Sequence, residues 1–167
     1  MAPGTRHRAR ALVSSALDGV LIGAAEAALD HPRRSPVRRR TYLALGAAML
    51  TDGVLGELPT VRAIAAGRPP RPVEPAQQQL AVAAGLVSVG WGFVVTVVDG
   101  PLARSLQRRG VARPHLVLGV ATGLVTAATT LPMWWRRATL RIREDERTTV
   151  EAADLAAWEA ELAAVDR

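Results

Sequence analysis

From Leu116 to Trp135 the chain reads LVLGVATGLVTAATTLPMWW, 20 residues without a charge. A helix of that length, at about 1.5 Å per residue, crosses a hydrocarbon core of about 30 Å. A second run, LAVAAGLVSVGWGFVVTVV from Leu80 to Val98, has 19 residues and is equally free of charge. A water-soluble domain seldom needs two such runs, and 167 residues leave room for only one domain. These stretches set the expected fold class: all-α and integral to a membrane.

Two weaker blocks precede them. Ala11 to Leu29 is apolar or small apart from Ser14, Ser15, Asp18 and Glu26, and Thr41 to Leu58 carries Asp52 and Glu57 before Pro59. An Asp near a helix centre costs about 2.5–3.5 kcal/mol on insertion scales, which neighbouring Leu, Val and Ile offset. Both blocks are apolar nearly all round outside these positions, which favours spans over amphipathic helices lying on the surface. Arg6, Arg8 and Arg10 ahead of Ala25-Glu26-Ala27 imitate a signal peptide, but Asp18 inside the apolar stretch argues against one. The expected architecture is a four-helix transmembrane bundle of two antiparallel hairpins plus a C-terminal amphipathic helix. A basic segment, 1–10, leads into a membrane domain, 11–137, with helices at about 11–29, 42–58, 80–99 and 115–135. A charged tail, 138–167, follows.

Composition narrows the function classes. The net charge is +6, and all 21 basic residues are Arg, with Lys and Asn both absent. This looks like coding bias, so the arginines are not read as phosphate-recognition groups. They sit in the connectors that flank the apolar blocks, where lipid headgroups are the natural counter-charge. Six aromatic residues are too few to act as stacking platforms, so no nucleic-acid partner is expected. The absence of Cys excludes disulfides and thiolate chemistry. The two sets of connectors carry similar numbers of arginines, so the positive-inside rule orients the chain poorly. The long charged tail is costly to translocate and leans both termini inside.

Lipid tails give helices no hydrophobic reason to associate, so small residues mark contact faces. Ser15, Gly19, Gly23 and Ala27 form one stripe at a spacing of four, and Ala44, Ala48, Asp52 and Gly56 form another. Antiparallel pairing within the first hairpin would set Ser15 against Gly56, Gly19 against Asp52, Gly23 against Ala48, and Ala27 against Ala44. In the second hairpin, Ala84, Ser88, Gly92 and Thr96 face a helix that offers Gly119, Gly123 and the hydroxyls of Thr122, Thr126 and Thr130. Trp134 and Trp135, followed by two arginines, read as an interfacial anchor.

Asp18 and Asp52 fall at nearly one depth in the first hairpin, with no arginine inside any expected span. Two carboxylates in a dry site cannot both ionise comfortably, so they would share a proton or hold a cation. They are the candidate proton or cation relay, set against a purely structural hydrogen bond. Glu26 is expected to snorkel towards Arg38–Arg40, and Glu57 towards Arg10 or Arg62. Asp30, His31, Asp99 and His115 gather at the opposite helix ends; their spacing does not require zinc, and solvated interfacial residues are expected there. No catalytic, cofactor or metal residue is assigned.

Asp99-Gly100-Pro101-Leu102-Ala103-Arg104 resembles D-G-x-x-A-R, the opening of the CDP-alcohol phosphatidyltransferase motif. That resemblance implies a membrane enzyme whose later aspartates, in G-x-x-x-D-x-x-x-D, complete a metal site. Here Gly110 comes early, and Val117 and Ala121 stand where those acids belong. Six residues without the remaining carboxylates assign no family. P-loop, H-E-x-x-H and G-x-S-x-G patterns are missing as well.

The tail differs in charge from everything before it. Residues 1–143 carry 19 Arg against 7 acids, whereas 144–167 carry 2 against 8. Thr148 and Glu151 suit a capping box, and Leu155, Trp158, Leu162 and Val165 form an apolar stripe on a helix expected over about 149–165. That face suits a protein partner or a second copy. The expected function is a small multi-pass interaction or accessory protein of the cell membrane. The alternatives are a transporter or channel subunit using Asp18 and Asp52, then a lipid-processing enzyme.

Overall fold

The computed structural model describes residues 3–69 and 73–165, which are all-helical, with no strand among them. The helices are α1 (Pro3–Ala27), α2 (Pro36–Gly56), α3 (Leu58–Ala65), α4 (Pro75–Arg108) and α5 (Pro114–Val165), with a single 3₁₀ turn, Ala28–Asp30, after α1. Among the described residues, three helical stretches are long and apolar enough to cross a membrane: Gly4–Asp30, Pro75–Arg108 and Pro114–Ala164. The helix of the second weak block, α2, falls outside that group.

Each helix starts earlier or ends later than its apolar run, because the flanking Arg, Gln, Ala and Glu are themselves strong helix formers. Proline supplies several starts. Pro36, Pro75 and Pro114 each open a helix, where a missing N–H costs nothing. Ser35 caps α2, its hydroxyl accepting from the Arg38 N–H at 3.2 Å. The C-terminal stop of α4 is Gly110, at φ 81°, with Val111 N–H bonded back to Leu106 O at 3.1 Å. Gly67, at φ 66°, ends the short α3 in the same way, and this helix occupies part of the connector expected to be irregular.

Paired residues fix the directions. Ser15 meets Ala127 and Glu26 meets His115, so α1 and α5 are antiparallel. Gln77 meets Glu144 and Trp91 meets Thr129, which makes α4 antiparallel to α5 and parallel to α1. Arg10 meets Asp52 and Tyr42 meets Ala25, so α2 returns alongside α1. Helices α1 and α5 form the central pair. The second lies between α1 and α4 as the main packing surface, and α2 stands outside with no fully buried residue.

The close contact expected within the first hairpin is instead made between α1 and α5. A β-carbon on Gly19 would lie 2.5 Å from Gly123 O, and one on Gly23 would lie 2.5 Å from Gly119 O. A β-carbon on Gly123 would in turn sit 2.8 Å from Gly19 O. Two Gly-x-x-x-Gly faces thus interlock backbone to backbone, with Ala27 beside Gly119. The stripe on α2 carries methyl groups at Ala44 and Ala48 and cannot approach as closely. Ala44 is exposed, Ala48 half-buried, and Gly56 meets only the Arg10 guanidinium, at 3.6 Å. In the second hairpin Ala84 and Thr126 are fully buried, Ser88 donates to its own helix at Ala84 O, and Gly92 faces Ile22 of α1.

A second correction concerns the tail. No break separates it from the preceding helix: α5 runs for 52 residues, about 78 Å at the standard rise. Thr148 makes no cap. Its hydroxyl donates to Glu144 O at 2.6 Å, the bond of a residue inside a helix.

Candidate functional site

Polar residues concentrate at both ends of the bundle. At the end where α1 finishes and α5 begins, three helices each contribute one group. Glu26, in the last turns of α1, is buried, with a side chain only 5% exposed. His115 is the second residue of α5, and its Nδ1 lies 2.9 Å from Glu26 Oε1 and 2.8 Å from Asp99 Oδ1 of α4. These three donor atoms all lie within 4.8 Å of one another. The 3₁₀ turn then places Asp30 over the start of α5, where its carboxylate accepts from the N–H groups of His115 at 3.2 Å and Leu116 at 2.8 Å. An acidic cap on free helix N–H groups satisfies donors that have no partner within the helix.

Sequence reasoning brought Asp30, Asp99 and His115 to this end and missed Glu26, which turns inward to His115 instead of snorkelling to Arg38–Arg40. His31 lies outside the cluster, in a shallow pocket with Asp30, Thr41 and Arg113. The available signal for Glu26 was its register. It falls three residues after Gly23 and seven after Gly19, on the face of α1 that meets α5.

Asp18 and Asp52 each take a partner other than the other acid. Trp134 Nε1 donates to Asp18 Oδ2 at 2.7 Å, so this indole turns towards α1. Trp135 remains exposed, with the Arg8 guanidinium 5.5 Å from its ring centre. Asp52 is paired with Arg10 at 2.5 Å, and the same guanidinium nitrogen donates to the Asp52 carbonyl at 2.7 Å. Because α1 begins at Pro3, Arg10 lies two turns inside the helix and reaches across to α2.

Around that pair the other end of the bundle is crowded with charge. Glu57, at the joint between α2 and α3, is held by Arg137 at 3.4 Å and Arg141 at 3.7 Å, in place of Arg10 or Arg62. Gln77 is nearly fully buried between Arg141 and Glu144, donating to the latter at 2.6 Å, and His7 bonds Asp145 at 2.8 Å. The signal for these contacts is periodic. The small-residue face of α5 continues past Thr126 and Thr130 through Trp134, Arg137, Arg141 and Glu144 at steps of three and four.

Beyond this network α5 projects alone. Every residue from Glu151 to Ala164 is exposed, including Leu155, Trp158 and Leu162; the Val165 side chain lies outside what is described.

Compared with known proteins, the chain matches no family model, no curated protein and no solved structure.

Proposed function

We propose that this is a multi-pass protein of the cell membrane, an interaction or accessory protein that uses the free end of α5 as its contact arm. Its membrane residence is supported by an inside-out distribution of side chains. The largest fully buried side chains are Gln77, Thr126 and Thr130, whereas Val89 and Phe93 are each 70% exposed and Leu50 and Leu124 each 68%. In water that arrangement would leave an apolar surface far larger than a monomer normally tolerates. In lipid it costs nothing, and small buried residues are what helix packing there requires.

Connectivity supports four crossings. With α1 and α4 parallel, the chain must return from one end of the bundle to the other between them. Helix α2, 21 residues and about 31 Å long, is the segment that makes the return. Its Asp52 is compensated by Arg10.

The observation that carries the functional reading is the exposed, unbroken extension of α5. Residues 144–167 hold eight acids and two arginines, so a second copy laid alongside in parallel would meet like charge. A basic protein segment that covers Leu155, Trp158 and Leu162 fits better. A relay through Asp18 and Asp52 gains no support from carboxylates that are separately engaged. The test is purification from native membranes of the full chain and of a form lacking 149–167. The full chain should bring down one stoichiometric protein that the shortened form loses. Recovery of both forms alone would refute the reading.

A further inference from the structure

We infer that Glu26, Asp99 and His115 form a binding site for one divalent transition-metal ion of the zinc type, clamping α1, α4 and α5 together at one end of the bundle. Two observations converge on it. The first is donor chemistry: two carboxylates and an imidazole nitrogen, from three separate helices, bring their ligand atoms within 4.8 Å of one another. Imidazole and carboxylate are borderline and hard donors that together suit zinc and its neighbours, and an imidazole disfavours magnesium or calcium. Bonds of about 2.0–2.2 Å put tetrahedral donors roughly 3.3 Å apart, so the present spacings of 2.8 and 2.9 Å need open by only a few tenths of an ångström.

The second observation is an unsatisfied group. Asp99 Oδ1 is buried and has no hydrogen-bond partner among the described residues, although it lies 2.8 Å from His115 Nδ1. A ring nitrogen carries at most one proton, and the hydrogen bond it makes here is to Glu26 Oε1, not to Asp99. A buried carboxylate oxygen left without a donor is expensive, and a cation satisfies it where a proton on Nδ1 does not. With the imidazole neutral and both acids ionised, the three ligands carry two negative charges, which a divalent ion neutralises. Three protein ligands leave a tetrahedral ion one further position.

Asp30 positions this site without entering it. Its carboxylate accepts from the N–H groups of His115 and Leu116 and so holds the backbone that carries the imidazole. Outer contacts of this kind change metal affinity by about 10–100-fold when removed.

The test is titration of the purified full chain in detergent, stripped with chelator, with Co²⁺ read by its visible absorption. One equivalent should bind and be displaced by Zn²⁺. Glu26→Gln and Asp99→Asn should each abolish the signal, Asp30→Asn should weaken binding by about tenfold, and Asp99→His should keep the metal with shifted bands. His7→Gln, at the far end of the bundle, should behave as the parent does. A parent chain that takes up no cobalt overturns the assignment, as does a Glu26→Gln chain with unchanged affinity and spectrum.

Discussion

Trp134 Nε1 and Asp18 Oδ2 are joined by a hydrogen bond of 2.7 Å between α5 and α1, and this bond gives a mid-helix acid its place in the bundle. Replacing Trp134 with Phe keeps most of the ring and removes the donor. Asp18, half-buried between the helices, then loses that donor, at a cost of about 1–3 kcal/mol. Asp18→Asn should cost less, since an amide oxygen still accepts from the indole. Thermal unfolding in detergent, followed by circular dichroism, should rank parent above Asp18→Asn above Trp134→Phe; equal midpoints would mean that the indole contributes nothing there.

The interlocked glycines give a contrast of sign. Gly23→Ala places a methyl group against the Gly119 backbone, so α1 and α5 must part, and overpacking of this kind costs about 1–3 kcal/mol. At Gly46 of α2 a β-carbon would meet nothing within 4 Å. Gly46→Ala should therefore stabilise the helix by about 0.5–1 kcal/mol, through chain entropy alone. Unfolding midpoints that move in the same direction for both would refute the α1–α5 interface.

These glycines also show what the sequence made legible. Both small-residue faces, Gly19/Gly23 and Gly119/Gly123, stand out by spacing, and so do the apolar runs from which the helices grow. Their pairing was not legible. Spacing shows that a face is thin, and either α2 or α5 satisfies it; α5 wins because two opposed glycine pairs allow backbone contact that Ala44 and Ala48 prevent. Glu26 and Glu57 were misread for a related reason. An acid near the end of an apolar run reads as snorkelling outward, yet both turn to partners on α5, Glu26 to His115 and Glu57 to Arg137 and Arg141. The tail was read as separate because its charge changes sign, a change the helical backbone does not register.

Arg10 and Asp52 hold the loosely packed α2 to α1. Their side chains are 29% and 22% exposed, between the fully solvated and fully buried cases. Arg10→Gln should therefore destabilise by between about 1 and 3 kcal/mol, by stranding the Asp52 charge. The double variant with Asp52→Asn should recover much of that loss, because no lone charge then remains. A cysteine pair placed across α1 and α2 should cross-link more slowly in Arg10→Gln than in the double variant. Additive losses would mean the two side chains do not interact.

The free end of α5 should be helical only because it continues a helix that is already formed. Starting a helix is the unfavourable step, and adding a turn to an existing one is not, so a peptide of 148–167 should be largely disordered in water. In the full chain the same residues should be helical but weakly protected, since Glu151 to Ala164 are all exposed and have no packing partner among the described residues. Amide hydrogen exchange should show protection falling steadily from Thr148 towards Ala164. Glu151→Pro should then remove most of the helix beyond it, because the proline both clashes with the preceding turn and forces a new start. Deletion of 149–167 should leave the unfolding of the bundle within about 0.5 kcal/mol of the parent, as expected for exposed residues. A larger loss would mean that this segment folds back onto the arginine-rich ends of its own chain. A protected plateau from Glu151 onward that persists in dilute, partner-free protein would point to the same docking.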